Sequence, residues 1–132
     1  MIKQAVVALI QDGEKILLGK RSPDARGQVG KWENLGGEVE VGETPEQAVE
    51  REIKEELGID FVPEKIVIDD NFSNGDDDWH VLIFEGTYTG TPIAMIPTET
   101  SEVRWFDKDK LGEVDLATYT REDFVRFGWI KE

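Results

Sequence analysis

The sequence predicts an α+β fold, with α/β/α layers around a mixed β-sheet. Three observations predict it: short apolar runs bounded by turn residues, one strongly signalled helix after the first of these runs, and a second helical stretch only near the C-terminal end. At 132 residues and 39% apolar content the chain suits a single domain, 1–132, with enough apolar side chains to offset the entropy of ordering them.

The elements follow in order. Gln4 to Ile10 and Lys15 to Leu18 read as apolar strands joined through Asp12-Gly13, a short hairpin signal. Lys20 to Lys31 is rich in Arg, Lys, Gly, Ser and Pro, lacks periodicity, and reads as a basic loop. After a short strand near Trp32 to Leu35 comes a helix from about Thr44 to Leu57. Thr44 is its N-cap, Pro45 its first residue, Gln47 the partner in a capping box, and Gly58 its stop. Strands around Lys65 to Asp69, His80 to Tyr88 and Glu102 to Phe106 precede a helix from Arg121 to Trp129. Between the first two of these, Asp69 to Asp78 reads as a polar hairpin loop. Its likeness to a calcium loop fails because Phe72 takes a ligand position and Val81 the place of the closing Glu.

Composition narrows the chemistry. A formal net charge of -14 argues against binding nucleic acid or an anionic membrane, which both want a cationic surface. With no Cys and a single His80, thiolate and imidazole metal centres are excluded, so a bound metal should take oxygen ligands: Mg²⁺, Mn²⁺ or Ca²⁺. The apolar run Ala5 to Ile10 is too short for a signal-peptide core or a membrane span, which makes the cytoplasm the expected location.

Glu52, Glu55 and Glu56 stand at i, i+3 and i+4 on the helix, which puts three carboxylates on one face, within reach of a common point. Like charges so close repel unless a cation joins them. Val49, Ile53 and Leu57 form a neighbouring apolar stripe that can pack on a sheet, leaving the acidic face at the edge of the core. On its own such a face is more often plain solvated surface. Its surroundings decide otherwise: Gly37, five residues, Glu43, seven residues, then Arg51-Glu52-Ile53-Lys54-Glu55-Glu56-Leu57-Gly58-Ile59.

This stretch resembles the Nudix box at every specified position, and the chain is identified as a member of the Nudix hydrolases. The resemblance implies a Nudix-type α/β/α sandwich and a divalent metal, Mg²⁺ with Mn²⁺ as substitute, gripping a pyrophosphate. It implies Glu52, Glu55 and Glu56 as metal ligands, joined by the Gly36 carbonyl, with Glu52 favoured as the base. Glu43 and Arg51 would orient the loop and helix, and Gly37 and Gly58 would serve backbone geometry at turns and helix ends. Glu99, six positions before Trp105, resembles the additional acidic ligand of MutT-like members, with Glu102 as competitor.

Gly30-Lys31-Trp32-Glu33 resembles the MutT-like nucleoside triphosphate pyrophosphatases, which release a monophosphate and pyrophosphate. The usual Phe-Pro or Leu-Pro is replaced here by Asn34-Leu35. Asn34 reads either as a base-edge reader or as a turn residue bonding its own backbone. Lys20, Arg21 and Arg26 are candidate phosphate contacts, Arg21 first, and Trp32 is a candidate stacking ring whose alternative is the core. Leu17-Leu18, Arg21-Ser22, Arg26 and Gly30 also follow a coenzyme A pyrophosphatase spacing, which makes coenzyme A the runner-up. Asn74, and Gly75 to Asp77, lack the Pro and Tyr markers of other branches. The expected partner is a nucleotide-type small molecule, with a homodimer left open. A non-catalytic nucleotide-binding module is the alternative of another class, and the complete set of carboxylates speaks against it.

Overall fold

The computed structural model describes residues 2–131, with Asn74 described by its backbone alone. The chain divides into two compact units, Met1–Ile10 with Leu35–Pro92, and Gln11–Asn34 with Ile93–Glu132.

The first unit is a mixed four-stranded sheet carrying one helix. Strands β1 (Ile2–Leu9), β5 (Leu35–Glu38), β6 (Asp60–Asn74) and β7 (Asp77–Thr89) lie in the order β5-β1-β7-β6. β1 runs antiparallel to β5 and parallel to β7, while β6 and β7 form an antiparallel hairpin. Helix α1 (Pro45–Leu57) follows β5 and packs against β1, β5 and β6. Its buried residues are Ala48, Val49, Ile53, Glu56 and Leu57, and the core of this unit includes Val6, Ala8, Leu9, Leu35, Phe61, Ile68, Leu82, Ile83 and Phe84. The acidic stripe on α1 borders this apolar one, as the periodicity requires.

The second unit is built around β3 (Lys15–Arg21), which pairs antiparallel with β2 (Gln11–Asp12), β4 (Trp32–Glu33) and β8 (Thr100–Asp107). A 3-10 turn at Lys108–Glu113 leads to helix α2 (Thr118–Arg126). Ile16, Leu17, Leu18, Trp32, Leu111, Leu116, Ala117, Phe124 and Ile130 form this unit's core.

Four expectations change in detail. Asp12-Gly13 does make a hairpin, with Gly13 at φ 60, but it joins β2 to β3; β1 pairs only within the other sheet. Lys20 and Arg21 are the last residues of β3 and not loop, because pairing with β8 carries the strand past its apolar run. The β6–β7 ladder extends from Asp60↔Thr89 to Asn74↔Asp77, so the polar 69–78 segment is mostly paired strand with a tight turn at Gly75, φ 65. Helix α2 begins three residues earlier than expected and ends at Arg126, because Gly128 adopts φ 79 and the Trp129 N–H turns back to the Phe124 carbonyl. Among the described residues no helix is long and apolar enough to cross a membrane.

Candidate active site

The local sequence fixes α1 at both ends. The Thr44 side chain accepts from the Gln47 N–H at 3.1 Å, and the Thr44 N–H donates to Gln47 Oε1 at 3.0 Å. At the other end Gly58, φ 71, donates its N–H to the Lys54 carbonyl. A helix capped in this way presents its side chains in one fixed phase.

Arg51 organises the acidic face. Its Nε and Nη2 donate to the two Glu43 oxygens at 2.7 and 3.0 Å, a bidentate fork that suits a planar guanidinium. Nη2 also donates to the Glu38 carbonyl, while Nη1 donates to Glu52 at 2.9 Å and Glu55 at 3.2 Å. The Glu40 N–H donates to Glu43 Oε1, closing the loop between β5 and α1. The Arg51 hydrogen bonds, with that from Glu40 second, hold the Glu43 carboxyl below its ordinary range, and Glu43 in turn raises the Arg51 guanidinium above its own. The cation that joins Glu52 to Glu55 here is therefore a side chain. Among the described residues no three acidic groups converge into a ready-made metal cage. Arg51 holds two of the three box carboxylates, Glu52 and Glu55, toward itself. Glu56, at 9% exposure, lies in the buried face.

The paired glycines solve two packing problems. A Cβ on Gly36 would stand 1.9 Å from the Val6 carbonyl oxygen across the β1–β5 pair, and one on Gly37 would stand 2.3 Å from the Glu52 carboxyl carbon. Neither glycine has a positive φ. Their value is space, where turn geometry was expected of Gly37, and at Gly37 that space holds the Glu52 carboxylate.

The second unit contains the other candidates. Arg21 donates to both Glu33 oxygens at 3.2 and 3.1 Å, and to the carbonyls of Arg26 and Gly27. A guanidinium committed in this way braces its own loop. Trp32 is a core ring, packed edge-on to Phe106 at 4.9 Å with Lys20 and Arg104 near its faces, so it is not displayed for stacking. Arg26 is exposed. Glu99 is exposed on the segment before β8, where its carbonyl accepts the Ser22 N–H. Its competitor Glu102 is taken up by Arg104 at 2.5 Å. Asn34 is buried at 7% exposure, and among the described residues neither atom of its amide has a hydrogen-bond partner, which removes the reading of a turn residue bonding its own backbone. His80, read as a strand residue without a catalytic role, sits in β7 between Gln4 and Asp69.

Two residues escaped sequence reasoning. The Tyr119 hydroxyl donates to Glu33 Oε1, completing a Tyr119–Glu33–Arg21 cluster. Burial pushes the Glu33 carboxyl above its ordinary 4.5 despite both partners, and burial beside Glu33 raises the Tyr119 phenol. Gln28, at φ 49, lends its Oε1 to the Thr118 N–H at 3.1 Å and so caps α2, which has no side-chain cap of its own. Both contacts join positions more than 80 residues apart, beyond the reach of any local motif.

Residues 1–126 match the family model described as NUDIX domain. The chain belongs to the Nudix hydrolase family. Among Nudix relatives, it is 36% identical over 112 residues to the NAD-capped RNA hydrolase NudC of Stutzerimonas stutzeri, covering 83% of this chain but only 38% of that protein. It is 40% identical over 89 residues to the CTP pyrophosphohydrolase of Escherichia coli, covering 64% of this chain and 65% of the relative. The solved MutT NUDIX hydrolase of Burkholderia pseudomallei superposes with a TM-score of 0.82 at 27% identity, covering 95% of this chain and 97% of that one. The mixed α+β architecture is thus that of a solved Nudix neighbour. The chain spans less than half the length of its NudC relative, so the activity in that relative's name does not pass to it by similarity alone.

Proposed function

We propose that this chain is a Mg²⁺-dependent pyrophosphohydrolase of the cytoplasm that cleaves a nucleoside triphosphate, plain or oxidised, to monophosphate and pyrophosphate. The observation that carries this reading is the box itself in three dimensions: Glu52, Glu55 and Glu56 on a helix capped at both ends, with Gly37 leaving the room that the Glu52 carboxylate fills. The full-length match to a MutT-type structure and the Gly30-Lys31-Trp32-Glu33 stretch favour a triphosphate over other nucleotide derivatives.

The donor set suits Mg²⁺, with Mn²⁺ as substitute, because it is all oxygen: the three box carboxylates and the Gly36 carbonyl. When bound, the metal supplies charge neutralisation at the phosphate oxygens and lowers the pKa of water. The protein's own groups do the rest. Glu52 takes the proton from the attacking water, assistance typically worth about 10² to 10⁴ in rate. Arg51 and Glu43 position Glu52 and Glu55 and fasten the loop that follows β5, the strand that carries the Gly36 carbonyl. Lys20 and Arg26 contact phosphate oxygens, and Arg21 holds Glu33 and the loop in place. The substrate is a free nucleotide: only four of the 15 Lys and Arg residues (Lys3, Arg51, Lys54 and Lys65) lie in the unit that carries the box, a poor match to a nucleic-acid track.

The test is product analysis with Mg²⁺ over dNTPs, CTP, oxidised dGTP, coenzyme A, ADP-ribose and dinucleoside polyphosphates. Monophosphate and pyrophosphate from a triphosphate, lost in Glu52→Gln, is the expected result. Turnover confined to coenzyme A or a dinucleotide would overturn the substrate assignment, and silence of a folded, Mg²⁺-binding protein across the panel would overturn the enzymatic one.

A further inference from the structure

Arg51 carries its donors on one planar group, and the structure divides them by edge. Nε and Nη2 face the loop after β5. They donate to the two Glu43 oxygens at 2.7 and 3.0 Å, and Nη2 also reaches the Glu38 carbonyl at 3.0 Å. Nη1 faces α1, donating to Glu52 Oε1 at 2.9 Å and Glu55 Oε2 at 3.2 Å, with Glu40 3.7 Å away. The first edge is an anchor, since a bidentate fork and a backbone carbonyl hold it together. The second edge can be given up, because Glu55 is 53% exposed and can turn to water. Yet Glu52 and Glu55 are the carboxylates that a divalent ion at the box would need. An oxygen that accepts from a guanidinium has part of its lone-pair capacity engaged. A guanidinium beside a divalent ion also meets it as a like charge, here where Arg51 and Glu52 are only 24% and 17% exposed and water screens poorly. Arg51 and the metal therefore draw on the same two groups.

We infer that Arg51 is an internal competitor of the metal, a tethered cation that lowers the affinity of the box and sets the free-metal concentration at which it fills. Its two edges have separable duties. Nε and Nη2 fasten loop to helix whichever cation Glu52 and Glu55 face, while Nη1 offsets the repulsion between those two carboxylates and yields to an ion that does so better. The duties predict opposite signs. If Arg51 only positioned the carboxylates, its loss would leave them loose and weaken metal binding; as a competitor, its loss tightens binding. The charge effect is the larger, because a unit charge in contact with the same carboxylates opposes a divalent ion more than the rotamer entropy of a loosened glutamate does. The inference rests on the reading above only in taking the box carboxylates as metal ligands; it needs no turnover.

The test is metal binding to the full chain, with Mn²⁺ followed by loss of its free electron paramagnetic resonance signal, Mg²⁺ by calorimetry, and thermal melts to establish folding. Arg51→Gln, which is neutral, should bind both ions about tenfold tighter than the wild type, the scale of one charge-assisted hydrogen bond that no longer has to be displaced. Its turnover should nonetheless fall with the positioning it loses. Arg51→Lys keeps the charge and should bind closer to the wild type than to Arg51→Gln. Adding Glu56→Gln to Arg51→Gln should cancel the gain, which places that gain at the box. In the wild type, ¹⁵N resonances of the arginine side chains recorded as Mg²⁺ is added should show Nη1 of Arg51 shifting and Nε staying, an observation that needs no variant to fold. Binding unchanged or weakened in a folded Arg51→Gln would overturn the inference. So would Gln and Lys variants that bind alike, or an Nη1 resonance indifferent to a metal that binds. No binding by either the wild type or Arg51→Gln would sink the Mg²⁺ reading and this one together. Tighter binding by Arg51→Gln, in a protein that hydrolyses none of the triphosphates, would sink the pyrophosphohydrolase reading and leave this one standing.

Discussion

At Gly37 a single missing methyl decides where the Glu52 carboxylate sits. Gly37→Ala would put a Cβ 2.3 Å from the Glu52 carboxyl carbon, and the flexible end of that side chain would give way before the backbone does. We expect kcat to fall by at least about a hundredfold, the lower range of general-base assistance, with a melt close to wild type. Gly36→Ala sets a Cβ 1.9 Å from the Val6 carbonyl, which cannot move without breaking the β1–β5 pair, so it should lower the melt itself. Equal activity loss with equal destabilisation in both variants would refute this division of roles. Two other carboxylates are shifted in opposite directions, which gives their pH signatures opposite signs. Glu43 is held low by Arg51, so its contribution to stability is present above 4.5 and lost as pH falls through its folded value. Glu33 is held high by burial, so its contribution is present below 4.5 and lost as pH rises through its folded value. Urea melts at several pH values should show the wild type's margin over Glu43→Gln shrinking toward acid and its margin over Glu33→Gln shrinking toward neutral. Parallel trends would contradict the assigned environments. Much of the box could be read from spacing because one helix carries Glu52, Glu55, Glu56 and Arg51 within two turns, and Arg51 meets Glu52 and Glu55 there. The Tyr119–Glu33 bond could not, since residue types 86 positions apart carry no shared pattern.

At the scale of elements, α1 was readable from end to end because each of its signals is local. Thr44, Pro45, Gln47 and Gly58 each satisfy or dispense with a backbone group within a few residues of themselves, and helix, caps and phase all follow. Replacing Thr44 by Ala should cost about 1 kcal/mol by denaturant unfolding. An unchanged midpoint would mean that Gln47 or water replaces the cap without loss. Strands were less readable because their pairing partners are distant. The polar end of β6 and β7 is held as strand by its ladder, from Asp69↔Leu82 to Asn74↔Asp77, although its side chains alone suggest a loop. The start of α2 was misjudged for a related reason: its cap, Gln28, comes from a loop some 90 residues earlier in the chain.

Across the whole molecule, charge is distributed unevenly along the sequence. The unit formed by Met1–Ile10 and Leu35–Pro92 holds 16 of the 29 acidic residues against four of the 15 cationic ones. Such a unit repels itself, and Arg51 offsets the repulsion where Glu40, Glu43, Glu52 and Glu55 meet. A divalent cation held by the box should therefore stabilise the native chain well beyond what screening gives, because it binds the folded state alone. The linkage relation sets the size: about 2.7 kcal/mol when free metal is a hundredfold above its dissociation constant. Melts of the wild type should rise steeply with MgCl2 and only slightly with NaCl of matched ionic strength, whereas Glu56→Gln should respond to both salts alike. If Glu56→Gln gained as much from MgCl2 as the wild type, the cation would be acting on the diffuse acidity of the unit, and the ligand set centred on α1 would have to be abandoned. If the wild type alone responded, a stripe of carboxylates that destabilises the bare chain would be accounted for by the ion it is built to receive.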